Sequence, residues 1–291
     1  MILEHTALRQ AKLLSILRRE MGLSDGLVGK LKWRNALLVN GIPVHTNYIV
    51  RPGDVIRAEI WEQAEGFAPQ PMPLCVVYED ESLIVVEKPA GILVHPSPAR
   101  NSGTLANGLL FYFQEKGTPS AIHPVTRLDR DTFGLVLFAK SAHIHAKFCR
   151  MLQQRELQKT YHAAVFGGPE QDAGVIDLPI GRVGGGSLLR KIDPEGQAAV
   201  THFTVLSRGE QTSLLELKPE TGRTHQLRLH CAASGFPILG DPQYCSDASK
   251  AVSDALGLSF QQLCATQLEF NHPLTGGPIC LRSSQTVRTG P

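Results

Sequence analysis

No stretch of this chain approaches the roughly 18 consecutive apolar residues that a membrane-spanning helix needs. The N-terminus, Met1-Ile-Leu-Glu-His, lacks the charged-then-apolar pattern of an export signal. There is no Cys-x-x-Cys pair: Cys75, Cys149, Cys231, Cys245, Cys264 and Cys280 are scattered. That scatter argues for reduced thiols in a cytoplasmic protein, not for a disulfide framework or a zinc site. Eleven histidines reopen the metal question, but His143/His145 and His225/His230 miss the i, i+4 spacing of a zincin helix. No metal is expected. Nor does one charge sign dominate. At a net charge of +2, no global positive field announces a nucleic-acid partner. What remains is an ordinary globular composition, 42% hydrophobic and 19% charged. Its 291 residues leave room for one large domain or two unequal ones.

The charge is unevenly distributed. Residues 1–60 carry nine basic and five acidic groups, whereas residues 61–90 carry six acidic groups and only Lys88 of the opposite sign. That reversal, followed by Gly66-Phe-Ala-Pro-Gln-Pro-Met-Pro73, marks a boundary. The expected organisation is a small domain at 1–62, a linker at 63–74 and a larger domain at 75–291.

In the small domain Leu13, Leu14 and Leu17 share a helical face, and Asp25 can cap a second short helix carrying Leu27, Val28 and Leu31. Asn40-Gly41 supplies the positive φ values of a tight hairpin. Arg51-Pro-Gly-Asp54 then turns into the alternating strand Val55–Ile60. Lys12, Arg18, Arg19, Lys30, Lys32 and Arg34 lie around these helices. Singly, each is an ordinary solvated charge.

The large domain holds the unusual chemistry. His123-Pro-Val-Thr-Arg127-Leu-Asp129-Arg-Asp131-Thr-Phe-Gly134 leads into Leu135-Val-Leu-Phe-Ala139, a run short and apolar enough to be a buried strand. Asp129 is thus held beside two arginines on a turn entering the core. Such a cluster either pins a loop or acts on an anionic substrate. Lys88-Pro-Ala-Gly91 ends a strand–turn–strand unit. Ser141 can cap a helix with Ala146, Cys149 and Leu152 inward that runs to about Gln158, and Lys159-Thr-Tyr161 opens another strand. Thr221-Gly-Arg223-Thr-His225-Gln226-Leu227-Arg-Leu-His230 follows a strand with Leu215 and Leu217 on one face. There Thr224 can cap a helix that Gly235 ends, placing Arg223 at a strand–helix junction.

Taken in order, Lys-Pro-Ala-Gly91, Arg-Leu-Asp-Arg-Asp-Thr-x-Gly134, Lys-Thr-Tyr161, Thr-Gly-Arg-Thr-His-Gln226, Gly240-Asp-Pro-x-Tyr244 and Phe270-Asn-His-Pro-Leu-Thr-Gly276 resemble the RluA-type RNA pseudouridine synthases. The order Lys30-Leu-Lys, Leu38-Val-Asn-Gly, Asn47 and Arg51-Pro-Gly-Asp-Val-Ile56 is similar to an S4-type RNA-binding domain. Two positions depart from the family pattern: Thr126 stands where most members have histidine, and Phe133 where serine usually precedes the glycine.

The resemblance implies an α+β fold, with a mixed, largely antiparallel central sheet flanked by helices. It implies conversion of uridine to pseudouridine in ribosomal or transfer RNA by a cytoplasmic monomer. The N1–C1′ bond breaks, the base turns, and C5 joins C1′. Nothing is oxidised or lost, so no cofactor is needed. By likeness, Asp129 is the essential carboxylate, as nucleophile or as base, with Tyr161 against the base and Arg223 as the cation keeping Asp129 charged. Arg127 would fill the space the flipped nucleotide leaves, and Lys88, His225, Gln226 and Leu227 would bind substrate. Lys12, Arg18, Arg19, Lys30, Lys32 and Arg34 would hold RNA phosphates. Two other readings stay open on the residues alone. One is a hydrolase using Asp129 and Asp131 as paired carboxylates; the other is a non-enzymatic RNA-binding or ribosome-assembly factor.

Overall fold

Two groups of elements with separate apolar cores make up the computed structural model, which describes residues 2–60, 66–97, 100–118, 120–184 and 189–290. The first group runs β1 (Ile2–Thr6), β2 (Ala11–Lys12), α1 (Leu13–Arg19), α2 (Asp25–Trp33), β3 (Leu37–Val39), β4 (Ile42–Pro43), β5 (Ile49–Val50) and β6 (Val55–Glu59). Its sheet has the order β1-β6-β3-β4, and Leu13, Ile16, Leu17, Val28 and Leu31 close the core. Asn40 and Gly41 lie at φ 51° and 80°, as a two-residue hairpin loop requires. Ser24, not Asp25, caps α2: its hydroxyl accepts the Leu27 N–H at 3.3 Å. Asp25 occupies the first turn and pairs with Arg18, since a carboxylate there meets the positive helix end. All six basic residues singled out above are exposed, and Trp33, between Lys32 and Arg34, is 89% exposed.

The second group runs β7 (Cys75–Glu79), β8 (Leu83–Lys88), α3 (Leu105–Glu115), β9 (His123–Pro124), β10 (Phe133–Ala139), α4 (Ala142–Gln153), β11 (Gln158–Phe166) and β12 (Ala173–Asp177). It continues with β13 (Ile180–Arg182), β14 (Arg190–Ile192), β15 (Val200–Arg208), β16 (Thr212–Pro219), α5 (Gln226–Ala233), α6 (Asp247–Ala255), β17 (Leu263–Asn271) and β18 (Pro278–Arg282). The main sheet has the order β12-β15-β16-β11-β17-β10-β8-β7, with β18 added to β17 and β9 to β10. Among the described residues β10 and β17 form its one parallel pair. The fold is α+β with a mixed, largely antiparallel sheet.

Further expectations change. Of the linker placed at 63–74, residues 63–65 lie outside the described residues, and 66–74 are not a free tether. Asn107 Nδ2 donates to Ala68 O at 2.7 Å, and Met72 and Leu74 lie where a side chain at Gly108 would have to go. Helix α4 stops at Gln153, well short of Gln158, because Arg155 enters the left-handed region at φ 60°. Its buried face is His143, Ile144, Phe148 and Met151, while Ala146 is exposed. The larger apolar side chains win the sheet-facing positions, with Phe148 edge-on to Phe270 at 5.3 Å. Finally, Thr224 caps nothing: α5 is entered through His225, itself left-handed at φ 58°.

Candidate active site

The loop between β9 and β10 carries Asp129 and is tied down along its length. At its start, Thr126 Oγ1 accepts the Leu137 N–H at 3.0 Å. At its end, Thr132 Oγ1 accepts from Gln261 Nε2 at 2.6 Å. In the middle Arg130 O accepts from the Gly91 N–H at 3.0 Å and from Lys88 Nζ at 2.8 Å. Phe133 packs edge-on to Phe260, with ring centroids 5.9 Å apart. Both departures from the family pattern, Thr126 and Phe133, are therefore accommodated in local packing. The loop enters β10 at Gly134 (φ 104°), where a Cβ would stand 2.3 Å from Ala265 O. Only glycine permits that approach of two parallel backbones.

Lys88 is fully buried. Its ammonium donates to Pro89 O (2.9 Å), Ile92 O (2.9 Å) and Arg130 O (2.8 Å). Those three bonds use every donor the group has. Burial pushes its pKa down to about 7, against the pull of the Asp131 and Asp129 charges. Asp131 in turn takes a two-pronged contact from Arg130, at 3.0 and 2.8 Å.

The guanidinium beside Asp129 is that of Arg228, on α5. Arg228 Nη1 donates to Asp129 Oδ2 at 3.2 Å. On its other side Nε and Nη2 donate to Asp241 Oδ2 (2.7 Å) and Oδ1 (2.9 Å), and Nη2 also donates to Gln243 Oε1 (2.8 Å). The Asp241 side chain is wholly inaccessible and also accepts the N–H groups of Gln243 and Tyr244. Although burial opposes it, the Arg228 guanidinium holds the Asp241 carboxyl below the usual carboxylate range. One cation thus serves two anions: Asp241 fixes the guanidinium plane, and the remaining edge faces Asp129. The Asp129 side chain keeps 27% of its exposure, against 5% for Arg228. It is the solvent-facing member of the group.

A second chain of contacts ends on the same carboxylate. Tyr244 OH accepts the Arg190 N–H at 2.8 Å and shares a hydrogen bond of 2.9 Å with His225 Nδ1. Burial lowers the His225 pKa, with Asp129 opposing and Arg228 and Arg190 adding to the drop. Its Nε2 lies 3.9 Å from Asp129 Oδ2.

Tyr161 arrives from the sheet. On β17, Ala265 pairs with Gly134 of β10 on one side and with Tyr161 of β11 on the other. Neighbouring strands lie roughly 4.8 Å apart, which puts the two chains roughly 10 Å from each other across this row. A register shift between Thr160 and Tyr161 re-aims the phenol, as bulges beside sites commonly do. Tyr161 is buried, and loss of hydration, with smaller contributions from the Asp129 charge and Cys264, drives its pKa far above the ordinary tyrosine range.

The family model for RNA pseudouridylate synthase matches residues 82–233, a span that contains Lys88, Asp129, Tyr161 and Arg228. The chain belongs to this family. It is 38% identical over 244 residues to an uncharacterized RNA pseudouridine synthase of Bacillus subtilis, covering 82% of this chain and 78% of that one. It is 37% identical over 248 residues to the ribosomal large subunit pseudouridine synthase D of Pseudomonas aeruginosa, covering 82% and 77%. Among solved structures, human RNA pseudouridylate synthase domain containing 4 superposes with a TM-score of 0.58 at 26% identity, over 74% of this chain and 88% of that one. The protein is an isomerase acting on RNA.

Within this synthase the predicted site residues divide. His225 faces Asp129 at 3.9 Å, Tyr161 lies on the sheet row that the Asp129 loop enters, and Arg127 is exposed on that loop. Arg223 does not join them. It is exposed, and its Nε donates to Ala198 O at 3.1 Å, because left-handed His225 turns the chain between it and the helix. Lys88 is no substrate contact, since backbone carbonyls consume its donors. Gln226 is also internal: its Oε1 accepts from Thr221 Oγ1 and the Arg223 N–H, and its Nε2 donates to Val200 O and Thr201 Oγ1. Leu227 belongs to the main apolar core. Sequence reasoning missed Arg228, Asp241, Gln243 and Tyr244. The available signal was an arginine among the helical residues Leu227–Cys231, where a buried cation demands a carboxylate partner.

Proposed function

We propose that this synthase isomerises specific uridines of ribosomal RNA to pseudouridine, with Asp129 as the essential carboxylate. The observation that carries the reading is a half-open Asp129 carboxylate hydrogen-bonded to buried Arg228, on the loop that enters the sheet row carrying Tyr161. Breaking the N1–C1′ bond needs an anion at the sugar or the base, and Arg228 offsets the hydration Asp129 loses when a substrate covers it. With its pKa raised, Tyr161 stays a neutral phenol. It offers a stacking face and a hydrogen-bond donor, and it can take the C5 proton only if its own proton is passed on. Arg127, exposed on the same loop, is placed to fill the gap left by the extracted nucleotide. Asp131 is held by Arg130, which argues against a paired-carboxylate hydrolase. Ribosomal RNA is favoured over transfer RNA because relatives from Pseudomonas aeruginosa and Vibrio cholerae are ribosomal large subunit synthases. The test is pseudouridine mapping in cells with and without the gene. Loss of one or more ribosomal positions is expected, whereas loss confined to transfer RNA would reverse the substrate assignment.

Residues 2–60 fit an S4-type RNA-binding role, with Lys12, Arg18, Arg19, Lys30, Lys32 and Arg34 meeting phosphates and Trp33 offering a face for an unpaired base. Deleting the module is expected to weaken RNA binding and flatten its salt dependence, by about 0.7–0.9 in log–log slope for each phosphate no longer neutralised. Turnover on a minimal substrate is expected to change little. Equal salt slopes with and without the module would refute the role.

Lys88 acts at one remove, clamping the Asp129 loop to the Lys-Pro-Ala-Gly bend. Lys88→Met is expected to lower kcat by up to about a hundredfold, the penalty of an ångström-scale misplacement, with KM moving less. The same variant carries a pH signature. A free lysine titrates near ~10.4, whereas folded Lys88 is brought down to about 7. Between those values the unfolded chain binds more protons, so the burial penalty is complete below pH 7 and fades as pH rises toward 10. Lys88→Met removes that rise, read by denaturant melts across the range.

A further inference from the structure

Beside the Asp129 cluster lies a cavity of about 410 Å³, within the ~300–1,000 Å³ range of ligand clefts. Its walls are the β13–β14 ribbon and the turn leading to α5, and three guanidinium groups line it: Arg182, Arg190 and Arg223. Arg182 and Arg190 stand directly opposite each other in the ribbon register. Like charges in that relation weaken a strand pair, and a two-stranded ribbon this short is marginal to begin with. Arg190 Nη1 donates to Leu189 O at 3.2 Å, and packing helps to hold the ribbon down. Ile180 and Ile192 share the arginines' face and pack in a small cluster with Ala199, Leu229 and Tyr244. Those isoleucines seat the ribbon near α5, while Arg182 at its outer end is exposed and Arg190 half-buried. The Arg182 side chain makes no ion pair or hydrogen bond among the described residues.

Two carboxylates also line the cavity, Asp193 and Glu195. Asp193 is engaged by Lys191 at 3.0 Å and lies against Gly181. Lys191 and Gly181 are register partners, so this pair occupies the opposite face of the ribbon from Arg182 and Arg190. Glu195 is exposed. Three guanidinium groups against two carboxylates leave the lining with a positive excess. A direct link then runs to the reacting site: the backbone N–H of Arg190 reaches Tyr244, Tyr244 reaches His225, and His225 Nε2 faces Asp129.

We propose that this cavity binds a phosphodiester of the RNA strand flanking the uridine presented to Asp129, with Arg182 and Arg190 as its principal contacts and Arg223 closing the far side. Arg223, misplaced as the Asp129 partner, thus has a role at the strand and not at the reacting base. The inference rests on the reading that the target uridine sits at Asp129. An anion between Arg182 and Arg190 turns their mutual repulsion into a clamp, and planar guanidinium groups suit phosphate oxygens. Binding here fixes the strand on one side of the flipped nucleotide while the chemistry proceeds on the other.

The experiment uses the full-length protein and the variants R182Q, R190Q, R182Q/R190Q and R182K/R190K. Binding of a short fluorescein-labelled oligouridylate is followed over a salt series. Tritium release is measured in parallel, on ribosomal RNA carrying 5-tritiated uridine from cells that lack the gene. For R182Q/R190Q, affinity is expected to fall about tenfold and the log–log salt slope to drop by about 0.7 for each single-strand phosphate left without its cation. KM rises by a similar factor and kcat stays within about twofold. Thermal stability holds, since Ile180 and Ile192 keep the ribbon packed, and R182K/R190K recovers most of the binding. Parent-like affinity and slope in R182Q/R190Q would overturn the proposal. So would a fall in thermal stability with a matching fall in kcat, which would make the arginines supports of the hairpin. The oligouridylate arm needs no turnover. Absence of tritium release by the parent would therefore count against the Asp129 reading while binding still decides the cavity.

Discussion

Asp129→Asn is expected to leave the synthase folded and bound to RNA while reducing isomerisation by at least about a thousandfold, the scale on which removal of an essential group acts. The substitution keeps the side chain's shape and its ability to accept from Arg228 Nη1, but removes the negative charge. Arg228 keeps its two-pronged contact with Asp241, so no buried charge is stranded. Asp129 itself is partly open to solvent, which limits what the fold loses. Tritium release from RNA with 5-tritiated uridine reads the chemistry, and filter binding of the same RNA reads the affinity. Turnover near the parent rate would take Asp129 out of the mechanism. Loss of binding in proportion to loss of rate would make it a substrate contact only.

Arg228→Ala and Arg223→Ala are expected to differ by far more than their five-residue separation suggests. Removing Arg228 leaves the wholly inaccessible Asp241 carboxylate without its cation, a change that destabilises by roughly 3–5 kcal/mol when one partner of a buried pair is deleted. It also takes the only hydrogen-bond donor to the Asp129 carboxylate among the described residues, so activity is lost as well. Arg228→Lys does not restore it, because an ammonium cannot span Asp241 and Asp129 with one rigid plane. Arg223→Ala is expected to shift stability by less than about 1 kcal/mol, as exposed substitutions do, and to leave kcat near that of the parent. Any effect on strand binding appears in KM. Denaturant melts and single-turnover rates check both variants, and comparable losses in the two would contradict the arrangement around Asp129.

The arginine pair also illustrates what a linear reading can and cannot reach. Both residues stand in one motif, Gly-Arg223-Thr-His-Gln-Leu-Arg228, and both are plausible partners for a carboxylate. The choice between them depends on His225 adopting φ 58°, a conformation a non-glycine residue enters only when its surroundings demand it. Here the Tyr244 hydroxyl holds the ring, and Tyr244 comes from a loop beyond α5. Lys88 and Gln226 were misread for a related cause. Polar side chains in a family motif suggest substrate contacts, yet both spend their hydrogen bonds on backbone or side chains brought close only by folding. Helix α4 was recognisable from its serine cap, but its inward face followed the bulk of Ile144 and Phe148.

Local patterns along the chain settle a good deal: the hairpin at Asn40-Gly41, the buried strand through Leu135–Ala139, the glycine at 134, the strand bearing Tyr161, and the membership of the whole in an RNA-modifying family. Each depends on short-range sterics, on apolar periodicity, or on several motifs occurring in order. Which cation meets Asp129, which lysine becomes a loop clamp, and where two like-charged arginines face a common cavity were decided by the tertiary structure alone. These are contacts between segments as much as 99 residues apart, and their energies depend on burial and orientation that no local pattern encodes.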